Sequence, residues 1–275
     1  MKIVLNSIAL EPNRWTEGKI PYFHLRDLLL PVKEAGFDSV EVWQNHVDLL
    51  DRAAVGLLKE TADSLGISFP IIGMYPRFVV PEEEREDELD HWSRVAERVD
   101  ILDSDILKVM PGRTPSEDLS NGKWDRAVAF VRQALEKTEE PGFLVPLETH
   151  GGTVADDPDA LLRFLDDVGS DRLKICWQPY DFADTDEAIE LYDKLSDHII
   201  HLHLQGRCDG QMELLEDSDL DYEAILGHIL ESGFDGYLSI EFVKNCVVED
   251  PVNFDVEDVL KNARQDREFI ESVAL

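Results

Sequence analysis

Residues 199–207, IIHLHLQGR, have the apolar character of a buried strand but carry polar side chains at regular positions. In an extended chain, side chains two residues apart point to the same side, so His201 and His203 share one face. Arg207 follows shortly after the strand. The pattern predicts a buried strand whose polar face and carboxyl end contribute to a functional site.

The same unit, a short apolar run followed by an amphipathic segment, recurs along the whole chain. The apolar runs predict eight strands, at residues 2–8, 39–43, 68–74, 106–110, 143–149, 173–177, 198–205 and 237–242. The amphipathic segments predict eight helices, at residues 23–35, 50–65, 82–102, 125–138, 159–168, 186–195, 222–231 and 256–273. Eight strand–helix units in this order predict an α/β fold, the (β/α)8 TIM barrel.

The length of 275 residues suits one such barrel, so we expect a single domain over residues 1–275. An open doubly wound sheet is the alternative fold. It is disfavoured because no GxGxxG sequence follows the first strand and no linker divides the chain.

The chain is strongly acidic, with 59 Asp and Glu against 26 Lys and Arg and a formal net charge of −33. Such an excess repels nucleic acid phosphates and anionic membrane surfaces, so we expect neither as a partner. The acids are spread over every predicted helix. This spread is typical of proteins from halophiles, in which bulk salt screens the repulsion, and it predicts a halophilic source.

The cysteines and the apolar runs indicate the compartment. Three cysteines without CxxC spacing disfavour a disulfide framework and favour a reducing environment. The N-terminal apolar run is short for a signal peptide, and no window approaches 18 apolar residues. We therefore expect a cytoplasmic protein that does not enter a membrane.

Polar side chains cluster at the predicted strand ends, where TIM barrels carry their active sites. These residues are Glu41, His46, Tyr75, Arg77, Lys108, Glu148, His150, Gln178, Asp181, His203, Arg207 and Glu241. Glu148, Gln178, His203 and Glu241 come from four successive strands. This mixed oxygen and nitrogen set suits one divalent ion, Mg²⁺, Mn²⁺, Co²⁺ or Zn²⁺, and two glutamates would balance its charge.

Five short motifs in the second half resemble the xylose isomerase-like TIM-barrel superfamily. They are LETH at 147–150, WQP at 177–179, HLHLQGR at 201–207, DLDYEAIL at 219–226 and LSIEF at 238–242. The resemblance spans essentially the whole chain. It implies metal ligands at Glu148, His203 and Glu241, and a substrate-gripping role for Arg207.

Three positions depart from the family pattern. Gln178 stands where the family commonly has Asp, and Asp181 stands where it has His three residues later. A neutral amide is a weaker ligand than a carboxylate, so Gln178 is expected to lower metal affinity. Val154 occupies the position of the second catalytic glutamate of ketose 3-epimerases. Another base is therefore required.

His150 is the leading candidate for the base, because a neutral imidazole accepts a proton near pH 7. Glu148 and Glu241 are the other candidate catalytic residues. The candidate substrate contacts are Glu41, Lys108, Trp177, Asp181 and Arg207. Alternatives stay open: Lys108 can form a Schiff base or pair with a carboxylate, and Trp177, like Trp43 and Tyr75, can line the pocket or the core. His201 is expected to support His203 from behind.

The resemblance implies a metal-dependent isomerase or epimerase of a small sugar, sugar phosphate or related polyhydroxy carbonyl compound, acting by α-proton abstraction. A lyase of the same superfamily, of the inosose or dehydroshikimate dehydratase type, shares this first step. A metal-free sugar-binding barrel without activity is the third reading. Endonuclease IV-like repair is disfavoured by only eight histidines and the acidic surface. A homo-oligomer is possible, as in many superfamily members.

Overall fold

Strands and helices alternate along the chain in the computed structural model, which describes residues 1–120, 122–138, 142–181 and 183–274. The strands are β1 (Lys2–Asn6), β2 (Ser39–Trp43), β3 (Ser68–Met74), β4 (Ile106–Val109), β5 (Val145–Glu148), β6 (Leu173–Trp177), β7 (Ile199–Cys208), β8 (Gln211–Glu213) and β9 (Tyr237–Phe242). The helices are α1 (Leu25–Glu34), α2 (Asn45–Asp48), α3 (Arg52–Leu65), α4 (Arg85–Leu102), α5 (Lys123–Lys137), α6 (Pro158–Val168), α7 (Thr185–Leu195), α8 (Tyr222–Glu231) and α9 (Val256–Val273). Every predicted strand and helix overlaps an observed one.

Eight of these strands form a closed parallel barrel. Around the ring they follow the order β1 to β7 and then β9, which pairs with β1. The pairing of β6 with β7, which aligns Ile175 with Ile199, completes the ring on the other side. The helices surround this barrel, so the predicted (β/α)8 TIM barrel is confirmed, and the carboxyl ends of the eight strands meet at one face.

The barrel wall separates an apolar layer from a polar interior. On β7, Leu202 and Leu204 belong to the apolar cluster that the strands form with the surrounding helices. The alternate residues, His201 and His203, are also fully buried but face the barrel axis. The two histidines of this strand are therefore the inner face of the barrel, and its leucines are the outer face.

Helix boundaries follow local capping chemistry. At the start of α6, the Asp157 carboxylate accepts a hydrogen bond of 2.8 Å from the backbone N–H of Ala160, and Pro158 occupies the first turn. The helix ends at Gly169, whose φ of 68° is the left-handed conformation that favours glycine. In the described parts of the chain, no helix is both long and apolar enough to cross a membrane.

A hairpin after the long strand β7 was not predicted. Asp209 and Gly210, with φ of 50° and 77°, form a two-residue turn that returns the chain as β8, antiparallel to β7. Asp-Gly is a favoured sequence for such a turn, because both central residues need positive φ. The hairpin aligns Arg207 with Met212 and so fixes the backbone of the arginine beside the barrel mouth.

Candidate active site

Three buried side chains converge at the carboxyl ends of β5, β7 and β9. The Nδ1 atom of His203 lies 3.8 Å from Glu148 Oε1 and 3.3 Å from Glu241 Oε1. One potential ligand atom from each of the three residues falls within 4.8 Å of the others. The parallel barrel brings them together because the carboxyl ends of its strands meet at the same rim.

Lys108, at the centre of β4, holds the other oxygen of Glu148. Its Nζ atom is 2.6 Å from Glu148 Oε2, and both side chains are buried. Burial alone would lower the pKa of Lys108, but the charges of Glu148, Tyr75, Glu41 and Glu241 together raise that pKa well above its ordinary value. Lys108 is therefore an ammonium ion paired with a carboxylate. A Schiff base would need a neutral amine, so this contact disfavours that role.

Glu41, on β2, orients the imidazole of His203 from behind. Its two carboxylate oxygens lie 3.2 and 3.0 Å from His203 Nε2, so Nε2 donates its proton to them. His201 adds a second contact: its Nε2 lies 3.4 Å from Glu41 Oε2 and 2.8 Å from Ser239 Oγ. With Nε2 committed to Glu41, the Nδ1 atom of His203 is the one that faces Glu148 and Glu241.

These contacts shift the ionisation of the interior groups. Burial would raise the pKa of Glu41, but the nearby His203 and His201 imidazoles hold it well below its ordinary value. Burial would lower the pKa of His203, but Cys176, Glu41 and Glu241 raise it well above the ordinary value. A metal ion at Nδ1 would need that nitrogen to be deprotonated, so metal binding at this site would release a proton wherever the ring carries one there.

The residues around Glu148, His203 and Glu241, at the floor of the barrel mouth, suit a divalent cation. Among the described residues, His203 Nδ1 and the side-chain oxygen Oε1 of Gln178 are buried polar atoms without a hydrogen-bond partner. A buried polar atom without a partner is costly, so both are placed where an additional ligand would satisfy them. Together with one oxygen each from Glu148 and Glu241, they form the mixed donor set typical of such ions. A second candidate group, Cys176 with His201 and His203, shares His203.

A cavity of about 270 Å³ opens above these residues. Polar, charged and aromatic side chains line it: Arg14, Trp15, Lys19, Trp43, Tyr75, Arg113, Glu148, His150, Gln178, Tyr180, Asp181, Gln205, Arg207, Glu241 and Phe242. A small molecule with several hydroxyl groups would find hydrogen-bonding partners on most sides of this cavity.

Two predicted substrate contacts form an ion pair at the cavity wall. Arg207 Nη1 lies 3.2 Å from Asp181 Oδ1, and Arg207 Nη2 lies 3.3 Å from Gln205 Oε1. His150 also lines the cavity but lies in the loop beyond β5. Its Nδ1 atom is 2.7 Å from the carbonyl oxygen of Gly151, which can only accept. That contact assigns the proton to Nδ1 and leaves the lone pair on Nε2.

Trp177, predicted among the substrate contacts, lies on the opposite side of β6. It is fully buried, and its ring packs edge-on against Tyr192 of α7, with the ring centroids 6.0 Å apart. The reason is the alternation of strand side chains. The preceding residue, Cys176, faces the barrel interior beside His201, so Trp177 must face the helices.

Sequence reasoning missed three cations at the cavity: Arg14, Lys19 and Arg113. Arg113 follows β4 in the same way that the predicted site residues follow their strands, so the strand-end rule could have found it. Arg14 and Lys19 lie well inside the long connection between β1 and α1, where no motif marks them.

The barrel and the clustered ligands define a TIM-barrel protein with a candidate metal site. The family described as xylose isomerase-like TIM barrel matches residues 29–273, and the chain belongs to this family. An uncharacterized protein of Methanocaldococcus jannaschii, MJ1311, is 25% identical over 183 residues, which are 62% of this chain. The match spans 58% of that relative, so this chain covers less than two thirds of its length.

Solved structures share the fold across nearly the whole chain. The probable 3-DHS dehydratase AsbF of Bacillus anthracis superposes with a TM-score of 0.75 at 18% identity, covering 98% of this chain and 99% of that one. D-psicose 3-epimerase of Clostridium cellulolyticum H10 gives 0.75 at 17% identity, covering 100% and 99%. A magnesium complex of a xylose isomerase-like protein from Mycobacterium smegmatis gives 0.71 at 17% identity, covering 99% and 96%.

Proposed function

We propose that the protein is a divalent-metal-dependent isomerase or epimerase of a small polyhydroxy carbonyl compound. The observation that carries this proposal is the convergence of Glu148, His203 and Glu241 on one point at the floor of a polar cavity. Similarity in fold to D-psicose 3-epimerase and to a magnesium-bound family member supports the proposal.

Different side chains of the site would hold the metal ion and orient its ligands. Glu148 Oε1, His203 Nδ1 and Glu241 Oε1 would hold the ion, with Gln178 Oε1 as a fourth donor. The ion supplies positive charge that polarises a carbonyl oxygen and acidifies the adjacent C–H bond. Lys108 keeps Glu148 ionised, since it lies 2.6 Å from Oε2, and Glu41 keeps the His203 ring in one orientation.

The proton would be taken by His150. Its contact with the Gly151 carbonyl leaves the lone pair of Nε2 available, and the residue lines the cavity. Return of that proton to the neighbouring carbon gives isomerisation, whereas epimerisation needs a second group that delivers a proton to the opposite face of the same carbon. Val154 is buried and supplies no carboxylate, so a two-glutamate proton shuttle is not proposed.

A dehydratase is the second candidate. It begins with the same proton abstraction but expels a hydroxyl group as water instead of returning the proton. The fold similarity to the probable dehydratase AsbF favours it, as does a single candidate base where an epimerase would need proton transfer on both faces. A sugar-binding barrel without metal or activity is the third candidate.

The test combines metal content with proton exchange. Mass spectrometry of the purified protein is expected to find about one divalent ion per chain, lost in Glu148→Ala, Glu241→Ala and His203→Ala. The matched control is Glu231→Ala, which removes an exposed carboxylate at the end of α8 and should keep the metal. Full metal content in all the site variants would show that the assignment is wrong.

The same proteins are then incubated in D₂O with ketoses, aldoses and inososes, and exchange of the α-proton is followed by NMR. Exchange of the α-proton without loss of water supports an isomerase or epimerase, whereas loss of one water supports the dehydratase. A ligand that raises the melting temperature without any exchange would favour the binding barrel. Metal-free protein with neither exchange nor binding would contradict all three candidates.

A further inference from the structure

Arginine and lysine side chains outnumber the carboxylates at the cavity. Three carboxylates line it, and each lies close to a basic side chain or an imidazole ring. Glu148 pairs with Lys108, Asp181 pairs with Arg207, and Glu241 lies 3.3 Å from the His203 ring. The carboxylates of the cavity therefore already have close neighbours within the barrel and its loops.

Three further cations line the same cavity without such a partner. Within the described residues, Arg14, Lys19 and Arg113 have no carboxylate oxygen within 4.0 Å of their charged nitrogens. The chain contains 59 acidic residues and only 26 basic ones, so a cation without an acidic neighbour is unexpected on composition. Three of them at one cavity therefore need another explanation.

The loop that carries two of these cations is held in place by buried contacts. Glu11 is fully buried, and its carboxylate accepts hydrogen bonds from the backbone N–H groups of Asn13, at 2.9 Å, and Tyr22, at 2.8 Å. These contacts fix both ends of the segment that contains Arg14 and Lys19. The positions of the cations are therefore built into the fold.

Each of the two cations has its own anchor within that segment. Asn45 of α2 donates a hydrogen bond of 3.1 Å to the carbonyl oxygen of Lys19, whose φ of 44° is uncommon for a residue with a side chain. Arg14 is 2% exposed and donates to the carbonyl oxygens of Glu11 and Cys246, but its Nε atom has no hydrogen-bond partner among the described residues.

Lys19 and Arg113 come from different loops and lie close enough to repel each other. Partial burial, and then the charge of Arg113, lower the pKa of Lys19. Two like charges in one rim are unfavourable unless an anion is bound between them. Guanidinium and ammonium groups together are the usual ligands of carboxylates and phosphates.

The distance from this rim to the metal candidate is short. The Tyr75 ring centroid lies 5.1 Å from Lys108 Nζ and 5.3 Å from Lys19 Nζ. The two ammonium groups are therefore at most about 10 Å apart, and Lys108 directly contacts Glu148. A short carbon chain can span from the floor of the cavity to Lys19.

We propose that Arg14, Lys19 and Arg113 form a subsite for an anionic group, a carboxylate or a phosphate, on the far end of the substrate. This inference rests on the proposed function, because it names the substrate class of the same site. The substrate is then an anionic polyhydroxy carbonyl compound, held by its charge at the rim and by its oxygens at the floor. The positive rim also lets an anion approach a protein of net charge −33.

The test measures the binding of matched neutral and anionic probes to the Mn²⁺-loaded full chain by calorimetry. The pairs are D-fructose with D-fructose 6-phosphate, and D-glucose with D-glucuronate. At least one anionic probe should bind about tenfold or more tightly than its neutral partner, since a charge-assisted hydrogen bond contributes more than 1.4 kcal/mol, which is tenfold in affinity. The pair that shows the preference distinguishes phosphate from carboxylate.

The variants Lys19→Ala and Arg113→Ala should each reduce that ratio several-fold, and the double variant should bring it close to one. Arg126→Ala removes an exposed positive charge from α5 and is the matched control, for which the ratio should not change. If the double alanine variant does not fold, Lys19→Gln with Arg113→Gln keeps the side-chain bulk and answers the same question.

The inference is wrong if neither anionic probe binds more tightly than its neutral partner, or if the preference survives in the double variant. Failure of the proposed function has a different signature: Mn²⁺ does not bind or no α-proton exchanges. In that case, inorganic phosphate and acetate titrated into the metal-free protein and its variants still report on the subsite.

Discussion

Glu41 lies beneath the cavity, fully buried, and contacts His203 through the ring nitrogen that faces away from Glu148. We expect Glu41→Gln to lower Mn²⁺ affinity by about 10–100-fold, the usual cost of losing a carboxylate behind a ligating histidine. The amide keeps the shape but removes the charge that orients the ring. Calorimetric titration with Mn²⁺ measures the change, and Glu231→Gln, an exposed substitution, is the control. Unchanged affinity in Glu41→Gln would mean that His203 does not bind the metal.

Individual residues show where strand-end reasoning succeeds and where it does not. The rule that strand ends meet at one rim brought Glu148, His203 and Glu241 together, because it depends only on the barrel. Trp177 does not line the cavity because successive side chains of β6 point to opposite faces of the strand. Cys176 faces the barrel interior, so Trp177 faces the surrounding helices. Lys19 could not be found at all, since its position depends on contacts from Glu11 and Asn45 that are distant in sequence.

At the scale of elements, α9 contacts the segment after β8 through one buried carboxyl group. Asp266 is 1% exposed, and its Oδ1 accepts a hydrogen bond of 2.8 Å from the N–H of Leu215. Burial raises the pKa of Asp266 to about 7, against 3.8 for an unperturbed group, and Glu216 and Glu213 add to the effect while the Leu215 N–H opposes it. The folded protein therefore holds this proton up to a higher pH than the unfolded chain.

It follows that Asp266 weakens the fold as pH rises. Between about pH 4 and pH 7 the unfolded state binds fewer protons than the folded state, so the free energy of unfolding falls through this window and levels off above it. We expect Asp266→Asn to raise the melting temperature at pH 8 relative to wild type, with less gain or none at pH 5. Thermal melts over this range measure it, beside Asp171→Asn as an exposed control. An equal shift at both pH values would contradict the assigned pKa.

The elements themselves were largely predictable, because helical and strand periodicities dominate this sequence. The hairpin formed by β7 and β8 was missed although Asp209 and Gly210 are a strong turn signal. The sequence pattern predicts a strand that ends at Gln205, whereas β7 continues to Cys208. The strand β8 is not one of the eight barrel strands, since among the described residues it pairs only with β7. The repeat of eight strand–helix units, on which the prediction was based, therefore does not indicate it.

The whole molecule carries a net charge of −33, which destabilises a folded chain by self-repulsion. Potassium chloride screens such repulsion, and the distance over which two charges still repel each other shortens as the salt concentration rises. We expect the melting temperature to increase by about 5 °C or more between 0.05 and 1 M salt, equivalent to roughly 1–2 kcal/mol. Calorimetry in potassium chloride measures the change, with sucrose as an uncharged control. A melting temperature that is independent of salt would argue against the predicted halophilic source.

The leucines of β7 face the surrounding helices and its imidazoles face the barrel axis, so the apolar core is a ring around a polar interior, the polar shaft. The packing that keeps the chain folded and the groups that meet a ligand therefore occupy concentric layers with few residues in common. Substitutions along the shaft can change the ligand while the ring stays intact. The same barrel can therefore support different reactions through changes in the side chains that face its interior.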